Sequence, residues 1–199
     1  MTLLGLDFDN TLVRYDELFH KAAVDKGLIR KDITANKTTI RDYLRKNGQD
    51  NEFTILQGEV YGLRILEAKP SEGMLKKLKE LKQEDIKMVL VSHKTKHPYK
   101  GPKYDLHEAA WSWLEKHDFF KEDGLGWNRE DVFFEVSKEK KLERIRKLGC
   151  THYVDDLEEI LLSLADNVER LWYSNEEKMP SKGIKKLKSW KELTIQNKD

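Results

Sequence analysis

One cysteine and four prolines in 199 residues leave this chain no intrachain disulfide and no proline-rich linker. Long apolar runs are missing too: none approaches the ~20 residues that span a bilayer. The first residues run straight into an apolar segment, with no basic stretch or cleavage signal ahead of it. Charge of one sign is equally absent. Against 37 Lys+Arg stand 36 Asp+Glu, and a formal net charge of +1 argues against a general polyanion binder or a basic membrane-surface protein. These absences point to a cytoplasmic protein with no membrane partner, for which nucleic acid is disfavoured and anions must be met locally. The lysine-rich stretches "MLKKLKELK" and "KEKKLERIRK" have helical periodicity and read as solvated helix faces. Cys150 and His152, a single pair beside a strand start, read as structural residues rather than a zinc site.

What is present is enough hydrophobic residue, 38%, for a real core in one domain plus an insertion. Short apolar strand signals fall at residues 2–8, 87–92, 131–136, 152–154 and 168–172. Helical patterns lie between them at 72–83, 104–117, 138–148 and 157–164. The alternation predicts an α/β fold, a Rossmann-like doubly wound parallel sheet with helices on both faces. Residues 14–69 break the rhythm, because a crossover needs only about a dozen residues or somewhat more. They read as helical themselves, in "YDELFHKAAVDKGLI", "TTIRDYLRKNG" and "NEFTILQGEVYG". The expected organisation is therefore a core domain of residues 1–13 and 70–199 with a small helical insertion over 14–69. That insertion is expected above the C-terminal edge of the sheet, where open α/β sheets bind ligands. The end of the chain, "LWYSNEEKMPSKGIKKLKSWKEL", reads as a last strand, a loop and a short amphipathic closing helix.

Chemistry gathers at the predicted strand ends. In "LLGLDFDNTLV", Asp7 and Asp9 are two residues apart and would face one side of a strand, with Phe8 on the other. Two carboxylates so close repel unless a cation or a shared proton holds them. Hard oxygen ligands of this kind suit Mg²⁺ together with a substrate phosphate. The strand "KMVLVSHK" ends in Ser92, "HYVDDLEEI" ends in Asp155 and Asp156, and Lys138 opens the helix after "VFFEV". Acids, a hydroxyl and a lysine thus converge on one sheet edge. The polar loop "HKTKHPYKGPKYD", residues 93–105, follows Ser92 and carries His93, Lys94, Lys96, His97 and Lys103, all able to meet an anion; it reads either as an ordinary mobile loop or as a substrate-specificity element. Leu106, Ala109, Ala110, Trp113 and Leu114 repeat at helical spacing and read as core.

"DFDNTL", Ser92 in "VLVSH", Lys138 and "VDDLEEI" resemble, in order and spacing, the four motifs of the haloacid dehalogenase (HAD) superfamily, over nearly the whole chain. The segment over 14–69 is similar to that family's small helical cap. The resemblance implies a HAD-like core and a Mg²⁺-dependent phosphatase acting on a small-molecule phosphomonoester, such as a sugar phosphate or nucleotide, through an aspartyl-phosphate. It implies Asp7 as nucleophile and Asp9 as general acid and base, with Thr11, Ser92, His93 and Lys138 binding the phosphate. Mg²⁺ would be held by Asp7, Asp9 through its backbone carbonyl, and Asp155 or Asp156. Asp156 aligns with the direct metal ligand, leaving Asp155 a supporting, water-mediated role. Two departures stand out: Asn10 replaces the family's usual glycine, and Lys140 and Lys141 compete with Lys138 on the same turn. A nucleic-acid end phosphatase, a non-catalytic binding protein and phosphotransfer to an acceptor other than water are the other readings. Neutral charge and a cap disfavour the first, and the presence of every expected acid disfavours the second.

Overall fold

The computed structural model describes residues 2–196. Residue 1 and residues 197–199, the outer ends of the expected core domain, lie outside the described residues. In chain order the elements are β1 (Leu3–Leu6), β2 (Val13–Arg14), α1 (Asp16–Asp25), α2 (Lys37–Lys46), α3 (Asp50–Tyr61), β3 (Lys69–Pro70), α4 (Met74–Gln83), β4 (Lys87–His93), α5 (Leu106–Lys116), β5 (Val132–Glu135), α6 (Lys138–Leu148), β6 (His152–Asp155), α7 (Glu158–Leu162), β7 (Glu169–Tyr173) and β8 (Ile184–Leu187). Single 3₁₀ turns occupy Ile65–Glu67, Arg129–Asp131 and Trp190–Glu192. No helix among the described residues is long and apolar enough to cross a membrane.

Six of the eight strands form a sheet in the order β5-β4-β1-β6-β7-β8, every pairing parallel, and β2 and β3 pair separately. This is the doubly wound sheet that the alternation predicts. The chain steps outward from β1 through β4 to β5 and then returns to β6 on β1's other side, so β1 lies at the switch point where such sheets open a crevice. Strands with both faces covered need unbroken apolar sequence, and β4 meets this with five consecutive buried residues from Met88 to Ser92. On one face, Val89, Val91, Tyr153 and Trp172 from the sheet pack with Ile145 of α6 and Ile160 and Leu161 of α7. Cys150 belongs to the same core, where burial pushes its thiol up to about 11 and leaves it inert.

The chain divides into two compact units, Met1–Val13 with Pro70–Lys94 and Asp118–Asp199, and Arg14–Lys69 with Thr95–His117. The first holds the parallel sheet. The second is helical, built on α1, α2, α3 and α5, with Phe19 stacked on Phe53 at 5.9 Å and edge-on to Tyr61 at 5.6 Å. Residues 95–117 join 14–69 in this unit, whereas the sequence pattern places them in the core domain. The reason is close packing: the backbone of α3 at Gly58 admits Pro98 so tightly that a Cβ there would lie 2.8 Å from the proline ring, and Gly62 admits Tyr104 in the same way. Trp113, fully buried on α5, donates its indole N–H to the Ala68 carbonyl at 2.9 Å. Leu106, Ala110, Trp113 and Leu114 are buried as expected of a core face, but the core is that of the helical unit; Ala109 is only half-buried.

The expected closing helix is instead β8 and a 3₁₀ turn. Ile184 and Leu187 are three apart, a spacing that suits a helix turn, but the exposed edge of β7 offers a row of backbone partners and pairs Arg170 to Tyr173 with Ile184 to Leu187. Gly183, at φ 83°, supplies the left-handed residue that turns the chain into this strand.

The centre of the sheet tolerates no side chain at Gly5. A Cβ built there would meet the Tyr153 ring at 2.5 Å and Cys150 Sγ at 3.0 Å. Gly5→Ala is expected to lower stability by about 1–3 kcal/mol through overpacking, read as a lower midpoint in urea denaturation. A midpoint equal to the wild type's would show that the ring has room to shift.

Candidate functional site

The sequence pattern places Asp7 and Asp9 on one face of a strand, but β1 ends at Leu6. Asp7 still extends the ladder by one bond, its N–H donating to the Val154 carbonyl at 2.9 Å. Beyond it the chain folds back at once: Leu12 and Val13 both donate to the Phe8 carbonyl, at 3.0 and 3.1 Å, and Asn10 adopts φ 58° within this turn. Asparagine tolerates that left-handed conformation better than most residues, which explains how it stands where the family resemblance leads one to expect glycine. Asp9 is therefore set by a turn, not by strand alternation, and the two acids have different partners.

Asp7 is buried, and its Oδ1 accepts from Lys141 Nζ at 2.7 Å and from the Ser92 hydroxyl at 3.0 Å. Lys141 Nζ also donates to Asp155 Oδ2 at 2.6 Å. The other Asp155 oxygen accepts from the Leu157 N–H at 2.8 Å, so both oxygens of this fully buried carboxylate are occupied. Asp156 is half-buried; its Oδ2 accepts from the Asn10 amide at 3.3 Å and its carbonyl from the Trp172 indole at 2.9 Å. Four segments build this cluster: the end of β1, the end of β4, α6, and the end of β6 with the residue after it.

The lysine is a correction. Lys138 is the phosphate ligand expected from the sequence, but its side chain is 45% exposed and pairs with Glu159. Lys141, one turn further on, is 2% exposed and reaches the acids. Ser137 caps α6 by accepting from the Lys140 N–H at 3.3 Å, which makes Lys138 the first helical residue and leaves it at the rim. Lys138, Lys141, Ile145 and Leu148 share one stripe of the helix, so the period alone does not separate the two lysines; depth along the stripe does.

The remaining expected residues fall as follows. Ser92 is buried and spends its hydroxyl on Asp7. His93, the last residue of β4, is half-buried, and burial together with the Lys141 charge holds its imidazole below the ordinary histidine value. Thr11 lies fully buried in the turn, its hydroxyl without a hydrogen-bond partner among the described residues, while its carbonyl accepts from the Ser71 hydroxyl at 2.6 Å. Asp9 meets Lys94, whose Nζ lies 2.9 and 2.8 Å from its two oxygens. That pairing is invisible in the sequence, where Lys94 is one of several cations in a polar loop.

Asp7, Asp155 and Asp156 each present a carboxylate oxygen within 4.8 Å of the others, a grouping able to hold a metal ion. The donor set tests the fit. Three carboxylates, all oxygen donors, share the one ammonium of Lys141, and burial and mutual repulsion push Asp155 and Asp156 above the ordinary carboxylate value. The excess of negative charge in a desolvated place suits a hard cation. The Asp9 carboxylate stands outside this grouping.

Removing the shared ammonium leaves buried carboxylates uncompensated. Lys141→Met is expected to cost about 3–5 kcal/mol of stability, measured by denaturant unfolding, while Lys138→Ala leaves the unfolding midpoint unchanged. The reverse ranking would overturn the assignment of the lysine.

No protein-family model matches the chain, and no curated protein matches it significantly. Solved structures do. A HAD-superfamily hydrolase of subfamily IA, variant 1, from Geobacter sulfurreducens PCA superposes with a TM-score of 0.56 at 14% identity, covering 96% of this chain and 94% of that one. A HAD hydrolase of family IA, variant 3, from Entamoeba histolytica HM-1:IMSS gives 0.54 at 15%, covering 98% and 96%. A HAD-superfamily hydrolase from Ehrlichia chaffeensis gives 0.51 at 17%, covering 96% and 94%. At these identities the likeness speaks to architecture, and the architecture of this chain is the HAD fold.

Proposed function

We propose that the protein is a Mg²⁺-dependent phosphatase that hydrolyses a small-molecule phosphomonoester through an aspartyl-phosphate on Asp7. The observation that carries this reading is the buried Asp7 carboxylate held by Lys141 and Ser92 at the switch point of a HAD-fold sheet. A nucleophilic carboxylate must be ionised and fixed in place. The Lys141 ammonium, 2.7 Å from Asp7 Oδ1, and the Ser92 hydroxyl together fix the orientation of the carboxylate. One Asp7 oxygen attacks phosphorus, the ester P–O bond breaks, and the leaving oxygen takes a proton from the Asp9 carboxyl. Water then attacks the phosphorus of the aspartyl-phosphate and gives its proton to Asp9, which releases phosphate and restores Asp7.

The cation would be held by Asp7, Asp156 and the Asp9 carbonyl, and when bound it neutralises charge on the phosphoryl group. Asp155, with both oxygens engaged, fits the supporting role. Lys141 takes the phosphate-facing role expected of Lys138, Thr11 supplies a hydroxyl donor, and the Ser92 hydroxyl, committed to Asp7, holds the nucleophile. In the loop after Ser92, Lys96 and Lys103 remain largely exposed and able to meet an anionic group.

Phosphate release across a panel of phosphomonoesters is the test, with Mg²⁺ or EDTA, for the wild type beside Asp7→Asn. The expected outcome is metal-dependent release by the wild type and loss of turnover in Asp7→Asn. Mg²⁺ is also expected to raise the thermal unfolding midpoint of the wild type but not of Asp156→Asn, because a ligand that binds only the folded state stabilises it. A wild type that is inert on the whole panel, or that turns over equally well in EDTA, would overturn the proposal.

A further inference from the structure

Lys94 follows β4 by one residue and ends the Pro70–Lys94 segment of the sheet unit. Its backbone N–H donates to the Glu135 carbonyl at 2.8 Å, so the main chain is anchored to the end of β5. Its side chain is 3% exposed and runs under the turn, with Nζ 5.3 Å from the centre of the Phe8 ring. The same Nζ bonds both oxygens of Asp9, at 2.9 and 2.8 Å, while the Asp9 side chain is 24% exposed. The acid thus faces outward and is gripped from behind by a desolvated cation.

An exposed lysine–aspartate pair would carry no meaning, since most such pairs contribute little. Burying an ammonium is another matter, because it is costly unless the pairing is close and well directed. Lys94 is also poorly placed to receive an anionic group of a substrate: its head is buried and already covered by Asp9. What the geometry does is fix the acid. Two hydrogen bonds from one ammonium, one to each oxygen, stop rotation of the carboxyl group. Proton transfer succeeds only within hydrogen-bond reach of the reacting atom, so this orientation governs the rate.

We propose that Lys94 is a positioning residue that holds the Asp9 carboxyl in the orientation from which it exchanges a proton with the leaving-group oxygen. The inference rests on the reading of Asp9 as general acid and base given above. A purely structural role and a positioning role differ in how they respond to the leaving group. An alkoxide needs its proton in the transition state; a nitrophenolate leaves without one.

The experiment compares kcat/KM for an alkyl phosphate and for p-nitrophenyl phosphate, with Mg²⁺, in the wild type, Lys94→Met, Lys94→Gln and Lys94→Arg, folding being checked by circular dichroism. Either of Lys94→Met and Lys94→Gln that folds carries the test. The expected result is a fall of about 10²-fold on the alkyl ester, a much smaller fall on the aryl ester, and partial recovery of alkyl activity in Lys94→Arg. An equal fall on both esters, or none on either, overturns the positioning role while the phosphatase reading stands. A wild type that releases phosphate from neither ester brings down the phosphatase reading, and the positioning role falls with it.

Discussion

The arrangement at the sheet edge depends on one ammonium. Lys141 Nζ sits 2.7 Å from Asp7 and 2.6 Å from Asp155, inside a site where both acids are buried. Without it, carboxylates from β1 and β6 would face each other in low dielectric, and the sheet's central strands would carry the repulsion. With it they are held together, yet one positive charge against three carboxylates leaves the site short of cation. That shortfall makes the cluster a metal-binding candidate as well as a structural joint. The Tyr153 ring lies 5.5 Å from the same ammonium and its hydroxyl donates to the Val91 carbonyl, so the ammonium has an aromatic neighbour as well as its carboxylates.

Local backbone features deliver the partners to this ammonium. Gly5 lets β1 lie against the Tyr153 ring. The turn after Phe8, with Asn10 in the left-handed region, reverses the chain directly after Asp7 and brings the Asn10 amide to Asp156. The same turn carries Asp9 to Lys94. The serine cap of α6 sets which lysine lies at the rim and which a turn deeper. Each is a short-range choice with a consequence at the site, which is the consistency that distinguishes a specified fold from a merely compatible one.

The division into two units gives the loop after Ser92 a different standing from an ordinary surface loop. Pro98 and Tyr104 pack against glycines of α3 and its C-terminal end, and Asp105 caps α5 by accepting from the His107 and Glu108 N–H groups at 3.0 Å each. From Thr95 on, the loop is thereby part of the helical unit. Its cations from Lys96 on belong to the same compact unit as α1, α2, α3 and α5. On α3 itself, Glu59 pairs with Lys26 at 2.7 Å, and Tyr61 lies edge-on to Tyr15 at 4.8 Å.

The sequence by itself determined the parallel α/β sheet, because buried strands need continuous apolar runs and helices need their 3.6 period. It also determined which segments end in acids or a hydroxyl, since a polar group that closes an apolar strand marks the point where the chain leaves the core for the sheet edge. Tertiary structure alone decided the rest. Lys138 and Lys141 share a helix stripe, and only depth within the packed site separates them. "GIKKLKSW" has a spacing open to helix or strand, and the free edge of β7 chose strand. Lys94 is one cation among many in a polar loop until the turn after Phe8 brings Asp9 onto it. In each case the deciding partner is distant in sequence, and local periodicity cannot reveal which of several equivalent residues a distant partner will meet.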